Sequence, residues 1–182
     1  MAKKIIIVTG PIGSGKSTTI EYLRKKGFQT LDLDKISNEI INSNESIKFL
    51  DTNFPGVIKN QKLDKDSLAD IVFNDIDKLK TLEEYLHPKI LIEFQQLAAK
   101  IDGVLFVEVS APKNIHKDFE CLVISTPEAV RIERLLDRDM KLNDIKNRIQ
   151  TQQNEDWWNS LGHVIKNNSH TSLEQEIDKY IN

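Results

Sequence analysis

Short runs of apolar and β-branched residues alternate along this chain with longer segments whose apolar residues recur at helical spacing. The short runs lie at residues 5–8, 28–31, 104–109, 121–124 and 163–165. Two of them, 5–8 and 121–124, are apolar at every position, and 104–109 has one acid near its end, which is typical of parallel strands covered on both faces. Because these strands alternate with helical segments, the pattern predicts an α/β fold with a five-stranded parallel sheet and helices on both faces.

A long helical region is predicted between the second and third strands, over residues 35–100. Within it, Asp64 is a suitable N-cap, since its carboxylate can accept from the first N–H groups of a helix. A later helix is expected to end near Leu86, because Pro88 disfavours helical geometry at the residue before it. A separate helix over residues 16–26 is predicted to precede this region.

The C-terminal part of the chain also carries helix signals. Ser125 and Glu128 are three positions apart, and Pro127 lies between them, as expected for a capping box with proline as first helical residue. A further helix is expected over residues 143–153, and a final helix from Ser172.

Composition narrows the class of protein without identifying it. The chain has 182 residues, 39% of them hydrophobic and 29% charged, which fits one soluble globular domain. A formal charge of -3 gives no global attraction to nucleic acid or to an anionic membrane. The single cysteine, Cys121, excludes an internal disulfide and favours a reducing compartment, which we take to be the cytoplasm. Its apolar surroundings indicate buried packing. No segment approaches the length of a transmembrane helix.

A glycine-rich segment that can bind phosphate follows the first predicted strand. The segment Gly10-Pro11-Ile12-Gly13-Ser14-Gly15-Lys16-Ser17 has the spacing G-x-x-x-x-G-K-S; we call it the phosphate loop. Its glycines allow successive N–H groups to point inward as an anion-binding nest, and the following helix adds its positive N-terminal end. Lys16 is expected to neutralise β- and γ-phosphate oxygens, and the Ser17 hydroxyl to complete a Mg²⁺ shell. The predicted nucleotide-binding residues are Gly13, Ser14, Gly15, Lys16, Ser17 and Thr18.

Several classes of protein share this loop, and the rest of the chain reduces their number. The Asn-Lys-x-Asp element with which GTP-dependent switches read their base does not occur in the sequence, nor does a transporter-ATPase signature. The chain is also short for a motor ATPase. Small-molecule kinases, with ATP and Mg²⁺ as cofactors, are therefore the favoured class.

Further segments carry a family resemblance. They are Thr9 to Thr18, the Asp-x-Asp of Gly27 to Asp34, Leu86-His87-Pro88, Glu133 to Asp139, Arg148-Ile149 with Gln152, and Asn167-Asn168-Ser169. In order and spacing this chain resembles the dephospho-CoA kinase family over most of its length.

The resemblance implies a three-layer P-loop NTPase fold and transfer of the ATP γ-phosphoryl group to the ribose 3′-hydroxyl of dephospho-CoA, the last step of coenzyme A synthesis. It implies a single kinase domain over residues 1–182, with an acceptor-binding helical region at about 35–100 and a lid at about 137–153. The implied partners are the small molecules ATP and dephospho-CoA. The sequence does not indicate an oligomeric state.

Two stretches depart from the family pattern. Pro11 stands where the family usually has a second glycine, and residues 108–112 read Glu-Val-Ser-Ala-Pro in place of a Pro-Leu-Leu-Phe-Glu-like stretch near the acceptor. A nucleoside or nucleoside monophosphate kinase of the same fold is therefore an alternative. A non-catalytic ATP-binding regulatory protein is a second one.

Two carboxylates at the end of the second strand are candidates for binding the metal and for activating the acceptor. Asp32 and Asp34 are two apart and share one face if the segment is extended. Asp34 is expected to orient or deprotonate the acceptor hydroxyl, and it could also cap a helix beginning at Lys35. Asp32 either holds Mg²⁺ through water or pairs with a lysine. Glu108, near the end of the third strand, is a further candidate for contacting Mg²⁺ through water.

Arginines on the predicted lid are candidates for the transferring phosphoryl group. Arg134 and Arg138 lie one helical turn apart, so both can face one phosphate cluster, and a guanidinium can meet its equatorial oxygens. We expect Arg138 to be catalytic and Arg134 to contact the nucleotide or solvent. Arg148 is either a second lid arginine that binds nucleotide or an i, i+4 partner of Asp144. Arg131 is expected to be a solvated surface charge.

Overall fold

The computed structural model describes residues 4–112, 115–168 and 170–182. The strands are β1 (Lys4–Thr9), β2 (Gln29–Asp32), β3 (Ile58–Lys59), β4 (Lys62–Leu63), β5 (Val104–Glu108), β6 (Glu120–Ser125) and β7 (His163–Lys166). The helices are α1 (Lys16–Lys25), α2 (Leu33–Ile41), α3 (Asn44–Asn53), α4 (Lys65–Asn74), α5 (Ile76–Ala99), α6 (Glu128–Leu136), α7 (Leu142–Gln150), α8 (Glu155–Asn159) and α9 (His170–Ile181), with a 3₁₀ turn at Ile115–Lys117. Ser169 of the predicted final turn lies outside the described residues.

Five strands form one parallel sheet in the order β2-β5-β1-β6-β7. The central strand β1 pairs with β5 from Lys4 opposite Val104 and with β6 from Ile6 opposite Glu120. The outer strands β2 and β7 pair in parallel with β5 and β6. The predicted five-stranded parallel sheet is therefore confirmed, and its first loop leaves the central strand.

The chain divides into two compact units, and the sheet belongs to the first, which runs to Asp32 and resumes at Lys100. One face of the sheet packs against α1 and α9. This core consists of Ile6, Val8, Ile20, Leu23, Phe106, Leu122, Ile124, Ile165, Leu173 and Ile177. The alternate residues of the same strands, such as Ile7, Leu105 and Val123, are also buried. Both faces are thus covered, as the apolar strands predict.

Cys121 lies on β6 and is buried, as predicted. Burial raises the pKa of its thiol, and the nearby Glu120 carboxylate adds to the effect. The thiol therefore stays protonated well into the alkaline range and acts as a small apolar side chain.

The second unit, Leu33–Ala99, contains α2 to α5 and the β3–β4 hairpin. Its core is formed by Leu50, Phe54, Val57, Leu68, Val72, Leu82 and Leu86. The rings of Phe49 and Tyr85 stack beside it, with centroids 3.7 Å apart. Asp64 caps α4 as predicted, since its side chain accepts from Ser67 N at 3.1 Å. Acceptor binding by this unit stays a prediction.

The prediction that Asp32 and Asp34 share one face of an extended segment is wrong. The strand ends at Asp32, and α2 begins at Leu33. Helical spacing starts at Leu33 and continues at Ile36 and Ile40, so the apolar face favours a helix from that residue on. Asp34 lies in the first turn of α2, where its charge complements the helix dipole, and not at the N-cap position.

The prediction that a helix ends near Leu86 is also wrong. Helix α5 continues through Pro88 for 24 residues. Its buried side chains lie on both sides of the proline: Leu82, Leu86, Phe94 and Ala98. Because one continuous apolar face is buried, packing outweighs the missing hydrogen bond and the strain that proline introduces into a helix.

The predicted capping box at α6 does not form. Pro127 is the N-cap and not the first helical residue, and the helix start has no side-chain cap bond. The backbone carbonyl of Ser125 instead accepts from Asn167 N at 2.7 Å. The last helix begins at His170, two residues before the predicted start.

In the described part of the chain, no helix combines the length and the apolar character needed to cross a membrane.

Candidate active site

The phosphate loop connects the central strand β1 to α1, and two of its glycines are required by close contacts. Gly15 has φ 103°, and a Cβ there would lie 2.2 Å from Asn167 Nδ2. Gly10 has φ 146°, and a Cβ there would lie 2.3 Å from the carbonyl oxygen of Ile124. Any side chain at either position would displace the loop from the sheet.

Lys16 holds the start of the loop. Its ammonium group donates to the carbonyl oxygens of Gly10 and Pro11 at 2.9 and 3.1 Å, and the side chain is only 8% exposed. Pro11 takes part through its carbonyl oxygen, which also accepts from Ser14 N at 3.2 Å. A proline is thus compatible with this loop, because the bonds shown at position 11 are to its carbonyl and need no N–H there.

Other carbonyl oxygens of the loop are bound by residues from distant parts of the chain. The Ser14 oxygen accepts from Asn167 Nδ2 at 2.7 Å and Thr126 Oγ1 at 2.9 Å. The Ile12 oxygen accepts from Arg131 Nη1 at 3.2 Å. These carbonyl oxygens would repel a phosphate, and each of them accepts a hydrogen bond from a protein side chain. The groups of the loop that can bind an anion are therefore its own amides and those of the first turn of α1.

A cavity of about 170 Å³ lies against the loop. Its lining brings together four of the predicted loop residues and one predicted lid arginine: Gly13, Gly15, Lys16, Ser17 and Arg138. The other lining residues are Ile12, Glu108, Ser110 and Leu135. Two cationic side chains therefore border the space next to the anion-binding loop, which suits a polyphosphate.

Oxygen donors for a cation meet at one point of this site. The Ser17 hydroxyl donates to Glu108 Oε1 at 2.8 Å, and Glu108 is only 8% exposed. Asp32 is the register partner of Glu108 on the neighbouring strand, so both carboxylates leave the same end of the sheet. Hydroxyl and carboxylate oxygens suit Mg²⁺. Within the described ranges, no group of three or more His, Cys, Asp or Glu side chains could hold a metal ion, so phosphate or water oxygens would complete the shell.

The two arginines of α6 and Arg138, two residues after the helix, have different environments. Arg138 is exposed and borders the cavity. Arg134 is half-buried, and its guanidinium donates to Asn167 O and Oδ1, both at 3.4 Å. Arg131 is only 8% exposed and donates through Nε to Thr126 O at 3.2 Å. The prediction that Arg131 is a solvated surface charge is therefore wrong. Burial lowers the pKa of its guanidinium, and Glu128 opposes the shift.

The two predicted alternatives for Arg148 differ in their support. Its side chain is exposed on α7. It forms no ion pair with Asp144, although the structure describes both residues. The i, i+4 pairing is therefore not observed, and a role of Arg148 in nucleotide binding stays a prediction.

Several residues that shape the loop have no sequence motif of their own. Thr126 follows β6, Arg131 lies in α6, Gln152 follows α7, and Asn167 follows β7. Gln152 Oε1 accepts from Ile12 N at 2.9 Å, across 140 positions of sequence. Gln152 and Asn167 occur in the segments that carry the family resemblance, but only the fold shows that they contact the loop.

The predicted base belongs to the second unit of the chain. Asp34 lies in the first turn of α2, two residues after the end of β2.

Trp157 and Trp158 belong to the first unit. Their rings pack edge to face with centroids 5.0 Å apart, and Trp158 is buried.

A central parallel strand, a G-x-x-x-x-G-K-S loop and a following helix define this protein as a phosphate-loop nucleotide-binding protein by fold and site. The shikimate kinase structure from Bacteroides thetaiotaomicron has the same fold, with a TM-score of 0.55 at 14% identity, covering 97% of this chain and 95% of that one.

The family follows from the sequence comparisons. The profile of the dephospho-CoA kinase family matches residues 4–174. The dephospho-CoA kinase of Campylobacter jejuni is 34% identical over 196 aligned positions, which cover 98% of this chain and 96% of the relative. A solved dephospho-CoA kinase structure from Campylobacter jejuni has a TM-score of 0.71 at 30% identity, over 100% of this chain and 96% of that one. A solved structure of a protein from Thermus thermophilus has a TM-score of 0.93 at 26% identity, over 100% of this chain and 97% of that one.

This chain belongs to the dephospho-CoA kinase family, and the resemblance described from its sequence is confirmed. It is a kinase, a phosphotransferase with an alcohol group as acceptor, and ATP is its phosphoryl donor.

Proposed function

We propose that this protein transfers the γ-phosphoryl group of ATP to the ribose 3′-hydroxyl of dephospho-CoA, giving coenzyme A. Family membership supports the acceptor. The observation that carries the phosphoryl transfer is the cavity in which Lys16, Ser17 and Arg138 border the phosphate loop. As substrates we propose the small molecules ATP and dephospho-CoA, and as location the cytoplasm.

The phosphate loop binds the triphosphate in this proposal. Amides of Gly13, Ser14, Gly15, Lys16, Ser17 and Thr18 surround its oxygens. On nucleotide binding the Lys16 ammonium exchanges its bonds to the loop carbonyls for β- and γ-phosphate oxygens. Because burial and those two bonds already fix the Lys16 side chain, little side-chain entropy is lost when ATP binds.

The proposed metal is Mg²⁺, held by the Ser17 hydroxyl directly and by Asp32 and Glu108 directly or through water. When bound, the ion screens the negative charge of the phosphates. Ser17 already bonds to Glu108 at 2.8 Å, so the hydroxyl is oriented by a carboxylate before any nucleotide arrives.

Residues outside the loop complete the proposed mechanism. Asp34 orients the acceptor hydroxyl and takes its proton as the bond to phosphorus forms in line with the leaving ADP oxygen. Arg138 contacts the equatorial oxygens of the transferring group, where negative charge accumulates. Arg134 and Arg148 bind the nucleotide, and residues 137–153 close over it as a lid that excludes water.

The acceptor is tested by product analysis. Purified protein with Mg²⁺-ATP is incubated with dephospho-CoA and, separately, with a panel of nucleosides and nucleoside monophosphates. We expect ADP formation and a product heavier by one phosphoryl group only with dephospho-CoA. Phosphorylation of a nucleoside monophosphate, with dephospho-CoA inert, would assign the protein to the alternative suggested by Pro11. ATP binding without turnover of any acceptor would indicate a regulatory ATP-binding protein.

A further inference from the structure

Ile12, in the middle of the phosphate loop, has both of its backbone polar groups bound by side chains from elsewhere in the fold. Its N–H donates to Gln152 Oε1 at 2.9 Å, and its carbonyl oxygen accepts from Arg131 Nη1 at 3.2 Å. These two partners are 140 and 119 positions away in the sequence. The residue next to Gly13 is thus held from two sides.

The backbone at Gln152 is fixed to helix α7. Gln152 N donates to the carbonyl of Ile149 at 3.2 Å, and Thr151 N donates to that of Asn147 at 3.1 Å. Helix α7 is in turn anchored by Ile145, which is fully buried where α7 packs on α6. The side chain of Gln152 therefore extends from the hydrogen-bonded end of α7 to the loop.

Arg131 is fixed just as firmly on α6. Its Nε donates to Thr126 O at 3.2 Å, and Glu128 lies 3.7 Å from its Nη2. The same Thr126 donates its hydroxyl to the Ser14 carbonyl. The contacts to Ile12 thus come from two helices that pack on each other, so the loop is connected to α6 and α7 as a pair.

We propose that Gln152 is a positioning residue that keeps the phosphate loop in its ATP-binding conformation before ATP arrives, with Arg131 as its counterpart on the Ile12 carbonyl. A glycine-rich loop is flexible, and ordering it on binding costs conformational entropy. A loop already held at Ile12 avoids part of this cost, which strengthens ATP binding. Gln152 also lies near the end of the segment 137–153, the proposed lid. The hydrogen bond from Ile12 N to Gln152 Oε1 therefore couples the position of this lid to the affinity for ATP.

Three variants separate the hydrogen bond from packing. Gln152→Leu keeps most of the volume and removes the acceptor. Gln152→Glu keeps an acceptor oxygen, and its added charge lies near Arg131. Gln175→Leu is the matched control, because its side chain is exposed on α9, outside the loop and the proposed lid. Unfolding midpoints verify that each variant is folded.

The affinity for a non-hydrolysable Mg²⁺-ATP analogue is measured by calorimetry on the full chain. We expect Gln152→Leu to bind about three- to tenfold more weakly, the effect of one lost hydrogen bond. The effect is modest because Gln152 also borders a cavity of about 300 Å³, from which water can reach Ile12 N–H. Gln152→Glu should stay within about threefold of wild type and Gln175→Leu should match it. In turnover assays the KM for ATP should rise more than kcat falls.

The bond itself is measured by amide hydrogen exchange at Ile12 without nucleotide, where Gln152→Leu should exchange faster than wild type. Unchanged exchange at Ile12 or unchanged affinity in Gln152→Leu would overturn the inference. So would an equal loss in Gln152→Leu and Gln152→Glu, which would indicate packing. The inference rests on the proposed function only for ATP binding at the loop. Inert dephospho-CoA would therefore count against the acceptor alone, since neither the calorimetry nor the hydrogen exchange includes an acceptor.

Discussion

Asp34 follows Asp32 by two residues, yet the two carboxylates belong to different elements. Asp32 ends β2 opposite Glu108, whereas Asp34 lies in the first turn of α2, which begins at Leu33. The helix start fixes the backbone of Asp34 separately from that of the strand. We therefore propose different partners for the two carboxylates, the metal for Asp32 and the acceptor for Asp34.

Asp34→Asn tests the assignment of the base. Asparagine keeps the size of the side chain and cannot take a proton, so we expect ATP affinity to persist and kcat to fall by about 10²- to 10⁴-fold. Turnover of dephospho-CoA and binding of an ATP analogue are the two measurements. Asp66→Asn, in the first turn of α4, is the matched control and should keep its rate. A near wild-type rate in Asp34→Asn would show that the base lies elsewhere.

Single residues were predictable from sequence when their partners are close along the chain. Lys16 follows from the loop motif, since the carbonyl oxygens that it contacts lie five and six positions before it. Arg131 was mistaken for a surface charge because its partner Ile12 lies on another element 119 positions away. Helical spacing shows which face a residue is on, but it does not show which loop packs against that face.

Helix α5 shows how burial decides the bounds of an element. Its proline lacks the N–H that would bond to the carbonyl four residues earlier, yet the helix runs from Ile76 to Ala99. Proline inside a helix does introduce strain, but burial of the apolar face on both sides of Pro88 stabilises α5 by more than that strain costs.

Pro88→Ala is therefore expected to stabilise the protein. Alanine restores the missing hydrogen bond and relieves the ring contact, and we expect the free energy of unfolding to rise by about 1–2 kcal/mol. Urea denaturation followed by circular dichroism measures it. Pro127→Ala is the control, because Pro127 is an N-cap whose helix loses no internal bond. Lower stability of Pro88→Ala would mean that the proline relieves strain in α5.

The hairpin of β3 and β4 is not predictable from the sequence pattern. Strands β3 and β4 have two residues each, too few to show a period of two. Asn60 and Gln61 between them both have positive φ, 51° and 62°. A glycine at the second of these positions would have been the usual sign of such a hairpin.

At the scale of the whole molecule, a polar cluster fastens the last helix to the first. Asp178 of α9 accepts from the Tyr22 hydroxyl at 2.9 Å and lies 2.9 Å from Lys26 Nζ. The hydrogen bonds from Lys26 and Tyr22 hold the pKa of the Asp178 carboxyl below its usual value. The same contact with Asp178 raises the pKa of Lys26.

This cluster predicts a pH dependence of stability. A carboxyl with a depressed pKa in the folded state contributes stability above the pKa of the unfolded chain, about 3.9. That contribution disappears as the pH falls through the folded value. The difference in unfolding temperature between wild type and Asp178→Asn should be constant from about pH 6 to 8 and shrink below about pH 4.

Thermal unfolding across this pH range measures the difference, with Asp51→Asn, an exposed position on α3, as control. A difference that does not change with pH would exclude the ion pair as its source.

The sheet was predictable as a class but not as an arrangement. Short apolar runs that alternate with helices indicate five parallel strands, because each helix can cross from one strand to the next. The order β2-β5-β1-β6-β7 depends on which strands pair across long stretches of chain, and no local pattern encodes that.

The central position of β1 also affects how the chain folds as it is synthesised. Lys4 pairs with Val104 and Ile6 with Glu120, so β1 has no neighbour until roughly 100 further residues have been added. At ribosomal rates this interval lasts roughly 5–20 s, whereas the helices of Leu33–Ala99 meet partners within one continuous stretch. The ATP-binding loop is thus translated well before the strands that flank β1, and it is assembled only after them. Until β5 emerges, residues 5–8 present an unpaired apolar strand to chaperones and to other nascent chains.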